Sequence, residues 1–273
     1  MEKIGFSSCC FPLSMSIEDI LGFCLDHSFN AMELEINTAN FNPASVKEST
    51  LAWIKQLSES GTISFGMHSP ADINFSDPPL EIRLLSEKKV KDALRLGSKL
   101  GVNKVVVHPG RVVGDFTLER WRQAWEQNVA AIRRCAEFSR ELGVSVSVEN
   151  LCHEKNSVNP DIASFLSMCE EIGLSLIGIC LDTNHAGLVD GLEKSVAVID
   201  DYVDYIHFSS NKGVKSDHCE PDIGVIDFFA VADFFRKFTG LTIIELNELG
   251  EDSAGAVLRT RSYLDKLQHP GKT

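Results

Sequence analysis

The sequence predicts a single (β/α)8 TIM barrel. Two observations carry that expectation: short apolar runs rich in β-branched residues recur eight times along the 273 residues, and amphipathic stretches of helical period separate them. A third observation excludes the main competitor. Doubly wound sheets usually have about six strands and often a glycine-rich phosphate loop after the first, and no GxGxxG or Walker sequence follows "KIGFSSC" here. A chain of this length with 44% apolar residues buries a large core, and α/β barrels of this size form one domain, so residues 1–273 are read as one domain.

The expected strands are, in order, "KIGFSSC" from Lys3, "AMELEI" from Ala31, "TISFGMH" from Thr62, "KVVVH" from Lys104, "VSVSVEN" from Val144, "IGICLD" from Ile177, "VDYIHF" from Val203 and "LTIIEL" from Leu241. Between them lie helical segments such as "SIEDILGFCLDHS", "EIRLLSEKKVKDALRLGSKLG" and "LERWRQAWEQNVAAIRRCAEFSRELG". Gly101, Gly143 and Gly173 stand where helix C-caps are expected.

The strand ends carry the functional signal. The third strand closes on His68, the fourth on His108 within "VVVHPG", the fifth on Glu149, the sixth on Asp182, the seventh on His207 and the eighth on Glu245. One histidine at a strand end is ordinarily a satisfied core residue. Recurrence over consecutive strands is different, because parallel strands of a barrel bring their C-terminal ends to one mouth, where active sites of this fold are built. "CLDTNHAG" adds His185 three residues after Asp182, and "KSDHCEPDIG" adds adjacent Asp217 and His218 after the seventh strand. Imidazoles and carboxylates without thiolates suit a divalent metal, with Zn or Mn favoured, Co, Fe or Mg possible, and one to three ions accommodated. A bridging carboxylate would join two of them. Of the remaining histidines, His27 and His269 read as surface helical residues and His153 as a loop residue without a role.

Composition limits the partners. The formal charge of −13 argues against nucleic acid, which is bound through an excess of lysine and arginine on one face. Metal ligation accounts for only part of that acidity. No apolar run approaches the ~20 residues of a membrane span. The start "MEKIGFSSCC" lacks the basic and apolar regions of a signal peptide, which predicts a cytoplasmic protein. The eight cysteines are scattered apart from Cys9 and Cys10, as expected of reduced, mostly buried thiols.

The order His68, "HPG" at 108–110, "VEN" at 148–150, "LDTNH" at 181–185, "IHF" at 206–208, "DH" at 217–218 and "IIEL" at 243–246 resembles the xylose isomerase-like TIM barrels, which include endonuclease IV and sugar isomerases and epimerases. The resemblance runs from the first strand to the last. Likeness to endonuclease IV implies one metal on His68, His108 and Glu149, a second on Glu149, Asp182, His207 and Glu245, and a third on His185, Asp217 and His218. Likeness to the ketose 3-epimerases implies a single metal on Glu149, Asp182, His207 and Glu245, with Glu149 and Glu245 doubling as acid and base. The sequence departs from the nucleases where duplex DNA is engaged: Ala71 stands where they carry tyrosine, and "NTANFN" lacks the arginine that enters the damaged helix. They also separate the last aspartate and histidine by an arginine, whereas Asp217 and His218 are adjacent.

The expectation is therefore a metal-dependent isomerase or epimerase of a sugar, sugar phosphate or related polyol, working by proton transfer. Arg111, Lys212 and Lys215 are candidate contacts to a substrate phosphate. An endonuclease IV-like phosphodiesterase and a non-catalytic metal or small-ligand barrel are the alternatives. A homo-oligomer is compatible with all three.

Overall fold

The computed structural model describes residues 3–152, 156–247 and 252–269. Eight parallel strands close into a barrel in chain order: β1 (Lys3–Ser7), β2 (Ala31–Glu35), β3 (Ser64–His68), β4 (Lys104–Val107), β5 (Ser145–Glu149), β6 (Ile177–Asp182), β7 (Val203–Phe208) and β8 (Leu241–Ile244), with β8 returning to β1. Helices α1 (Ile17–Asp26), α2 (Glu48–Glu59), α3 (Leu80–Leu100), α4 (Leu118–Glu141) and α5 (Ile162–Ile172) each follow one strand. A pair, α6 (Thr183–Val189) and α7 (Leu192–Ile199), follows β6, then α8 (Ala232–Lys237) follows β7 and α9 (Ser253–Gln268) follows β8. The eight-strand expectation holds, with strand ends shifted by one or two residues. None of the helices described is long and apolar enough to cross a membrane.

Local chemistry explains the helix boundaries. Ser16, Thr117 and Asp161 accept the first free backbone N–H groups of α1, α4 and α5 through their side-chain oxygens. Gly101 (φ 74°) and Gly143 (φ 68°) leave α3 and α4 in the left-handed region as expected. Gly173 differs: its φ of 117° and ψ of 103° carry the chain off α5 without a left-handed helical cap.

The two-residue period of the strands divides the core in two. Outward residues such as Phe6, Met32, Leu34, Phe65, Met67, Val105, Val146, Ile179, Phe208 and Ile244 join the helices in one large apolar sheath. Inward residues Ala31, Val106, Cys180, Tyr205, Leu241 and Ile243 form a smaller cluster inside the barrel. Gly66 makes room for the largest of these, since a Cβ there would come within 2.0 Å of the Tyr205 hydroxyl. Between Ile179 and Cys180 the β6–β7 register shifts, skipping Asp204. Its carboxylate accepts from the Ser147 hydroxyl at 2.8 Å and pairs with Lys104 near the N-terminal end.

Candidate metal centre

The same alternation aims the ring residues inward. His68, Glu149 and Asp182 end β3, β5 and β6, His207 is next to last in β7, and His108 and Glu245 stand one residue beyond β4 and β8. Pro109 stops β4, and Gly110 then lets Asn74 and Asn128 approach to where a side chain would stand. The Arg111 amide donates to Asn74 Oδ1 at 3.0 Å, so the loops after β3 and β4 are tied together behind the histidines. Asp182 caps α6: its Oδ1 accepts from the His185 amide at 2.6 Å, which folds the His185 ring back over the site. Asn150 explains the "VEN" sequence by accepting from the Asp182 amide at 2.8 Å and donating to its carbonyl at 3.1 Å.

Glu149 is the hub. Its Oε2 lies 3.3 Å from His68 Nε2, 3.0 Å from His108 Nε2 and 3.4 Å from His207 Nδ1, while its Oε1 lies 3.4 Å from His185 Nδ1. Glu245 Oε2 is 3.0 Å from His207 Nδ1, and His218 Nδ1 is 3.8 Å from Asp182 Oδ2 and 3.9 Å from Glu245 Oε2. Among the described residues, His68–His108–Glu149, Glu149–Asp182–His207–Glu245 and Asp182–His185–His218 each offer ligand atoms within 4.8 Å of one another. Glu149, Cys180 and His207 form a further such group.

Burial penalises every charge here, and the neighbours decide the outcome. Burial opposes charge on His68, but Glu35, Glu149 and Glu33 raise its pKa well above 6.5. Burial likewise works against His185, which Asp182 and Glu149 lift to about 10. Burial would raise Glu149 and Glu245, yet His108 and His207 hold the first well below the usual carboxylate range, and His207 and His218 hold the second there. For Asp182 burial prevails and its pKa rises. Burial also pushes Glu35 up to about 7.

This donor set fits a divalent cation. Asp182 Oδ2, His207 Nδ1 and Glu245 Oε2 are buried atoms without a hydrogen-bond partner, and all three face the same carboxylate-rich space. Buried polar atoms are normally satisfied, so three orphans at one point mark a place for a positive partner.

The expected third group is brought together only in part. Asp217 turns into its own loop, accepting from the Lys212 amide at 3.3 Å with Lys212 Nζ at 4.0 Å, and it stands outside the ligand groups. His218 has a left-handed φ of 42°, and Asp182 takes the carboxylate position beside His185 and His218. Arg111, Lys212 and Lys215 lie in the loops after β4 and β7 and are exposed. His27 is exposed just past α1, and His269 is half-buried just past α9. His153 lies outside the described residues.

Sequence reading missed two acids. Glu33 is fully buried on β2, with Oε2 2.8 Å from both the Tyr205 hydroxyl and His207 Nε2. Glu35, at the end of β2, has Oε1 3.8 Å from His68 Nδ1. The signal was present in "AMELE", where both glutamates alternate with Met32 and Leu34 and so share the inner face with Ala31.

Residues 21–267 match the family model of the xylose isomerase-like TIM barrel. This chain belongs to that family. Among similar proteins, an uncharacterized protein of Methanocaldococcus jannaschii is 22% identical, covering 96% of this chain and 89% of its own length. The "Probable endonuclease 4" of Mycobacterium leprae (strain Br4923) is 25% identical over 81% of this chain and 88% of its own. Among solved structures, a D-tagatose 3-epimerase-like protein superposes with a TM-score of 0.82 at 20% identity, covering 97% of this chain and 96% of that one. L-ribulose 3-epimerase also gives 0.82, at 18% identity over 98% and 95% of the two chains. IolI, solved with a bound zinc atom, gives 0.82 at 16% identity over 98% and 99%. The xylose isomerase-like fold of this chain is thus shared with structures named as 3-epimerases, and its sequence relatives include proteins named as probable endonuclease 4.

Proposed function

We propose that this protein is a divalent-metal-dependent isomerase or epimerase of a sugar, sugar phosphate or related polyol. One observation carries the reading: two carboxylates, Glu245 and Glu149, address the same orphaned atom, His207 Nδ1, at 3.0 and 3.4 Å. Glu149, Asp182, His207 and Glu245 would hold the ion, which would supply Lewis-acid polarisation of a carbonyl and its neighbouring hydroxyl. The two glutamates are not equivalent. The Glu149 side chain is 1% exposed and hemmed by histidines, whereas that of Glu245 is 15% exposed. Glu245 is therefore the carboxylate placed to take a proton from a substrate carbon, with Glu149 as its counterpart on the inner side.

The alternative is a phosphodiesterase of the endonuclease IV kind. His68–His108–Glu149 and Asp182–His185–His218 favour it, because one ion needs neither group. The negative charge and Ala71 count against a duplex substrate.

The test is solvent deuterium incorporation at the carbon beside the carbonyl, followed by NMR over ketoses and ketose phosphates with Mn or Co. Glu245→Gln and Glu149→Gln proteins that still hold metal should lose ~10²–10⁴ in exchange rate. If no sugar exchanges while an abasic-site duplex is incised in proportion to metal content, the phosphodiesterase reading takes its place.

A further inference from the structure

Beneath the ring, inside the barrel, Glu33 makes a contact that metal ligation alone does not require. Its Oε2 accepts from the Tyr205 hydroxyl at 2.8 Å and lies 2.8 Å from His207 Nε2, and all three side chains are fully buried. On its other side the His207 ring presents Nδ1 to Glu245 and Glu149 with no hydrogen-bond partner. We propose that Glu33 is the positioning residue of the centre: it takes the Nε2–H of His207, so that the Nδ1 lone pair is fixed toward the space between Glu149, Asp182 and Glu245. The inference deepens the metal-centre part of the proposed function and rests on it.

The argument is one of hydrogen-bond supply. A carboxylate only accepts, so Nε2 facing Glu33 at this distance must carry the proton. Once the ring gives up its other proton in favour of a metal ion, the lone pair is left on Nδ1, the atom without a hydrogen-bond partner. A carboxylate behind a ligating imidazole fixes its tautomer and ring orientation and raises its basicity. Tyr205 gives the arrangement its rigidity, because its hydroxyl donates to the same oxygen and Gly66 leaves only enough room for it there. Val106, Cys180, Leu241 and Ile243 share the barrel interior with Tyr205, which keeps this layer dry.

Zinc alone is the probe. Its dissociation constant is measured by competition with a chromophoric chelator on the chelated full-length protein, and the absorption spectrum of the Co(II)-loaded protein reports the ligand field. Glu33→Gln and Glu33→Ala should weaken zinc binding ~10–100-fold and shift the cobalt bands. Tyr205→Phe keeps the carboxylate and should weaken binding less than either. Melting of the metal-free proteins separates ordering from mere packing. Wild-type zinc affinity and an unchanged cobalt spectrum in Glu33→Gln, even with a lower melting temperature, would overturn the inference. Should Glu33→Ala not fold, Glu33→Gln and Tyr205→Phe still decide. Wild-type protein that binds zinc without exchanging any sugar removes the isomerase reading and leaves Glu33 standing. Wild-type protein that binds no zinc removes both.

Discussion

At the N-terminal end of the barrel, Asp204 is matched by Lys104 and by the Ser147 hydroxyl, so an inward-turned carboxylate meets a cation and a donor from the chain itself. At the C-terminal end, Glu149, Asp182, Glu245, Glu35 and Glu33 have histidines as their charged partners, and several of their atoms have no hydrogen-bond partner. No lysine or arginine is paired with these acids among the described residues. The closure of the barrel is the same at both ends. What differs is the kind of compensating charge, a fixed lysine cation at one end and histidines that can exchange a proton for a metal ion at the other, and that difference sets a structural plug against a candidate cation site.

The largest effect is expected where the C-terminal end is most shared. Glu149 faces His68, His108 and His207 through one oxygen and His185 through the other. Glu149→Ala should lower bound metal by at least one ion per chain and reduce substrate exchange by ~10²–10⁴. Elemental analysis after reconstitution with Zn and Mn measures the first quantity. Metal content equal to that of the wild type would break the comparison, since the acids would then need another explanation.

A pH series sharpens the contrast without mutation. In metal-free protein the His185 pKa is raised from 6.5 to about 10, so its folded form holds the proton more tightly than the unfolded chain. That stabilisation is complete below 6.5 and is lost as the pH rises to about 10. Glu149 and Glu245 are depressed, so their contribution is present above 4.5 and is lost on acidification. The chelated protein should therefore melt highest at weakly acidic pH and lose on the order of 5 °C by alkaline pH. Zinc-loaded protein should show the opposite slope between neutral and weakly acidic pH, because binding displaces protons from imidazoles. Calorimetry with and without chelator checks both slopes, and parallel curves would contradict the charge arrangement.

Much of this was legible in the sequence because a parallel barrel is apolar on both strand faces, so "KVVVH" or "IGICLD" ending on a titratable group stands out. Glu33 escaped because attention to strand ends passes over a charge in mid-strand, and Glu35 because the expected strand "AMELEI" ran on to Ile36, although the alternation in "AMELE" already assigned both to the inner face. Asp217 stands outside the ligand groups for another reason. Adjacent residues in a loop have no fixed period, and neither the left-handed backbone at His218 nor the turn of Asp217 toward Lys212 leaves a mark in "SDHCE". Tyr205 shares the parity of His207 within "VDYIHF", but its partner Glu33 lies across the barrel, and only closure brings them together.

The smallest effect belongs to the N-terminal end. Asp204→Ala removes the acceptor of the Ser147 hydroxyl and the partner of Lys104, while Asp204 and Lys104 both retain some access to water. Solvent lowers the value of the ion pair, so most of the loss comes from the hydroxyl left without its acceptor. The expected cost is ~1–3 kcal/mol of folding stability, equivalent to a fall of ~2–10 °C in melting temperature for a chain of this size. Bound metal and exchange rate should stay at wild-type levels, because no ligand atom depends on this end. The variant is therefore the reference for Glu149→Ala: stability falls with function intact at one end, and metal and function fall together at the other. Metal loss in Asp204→Ala equal to that in Glu149→Ala would show that the two ends are one coupled network, and the division drawn between plug and cation site would fail.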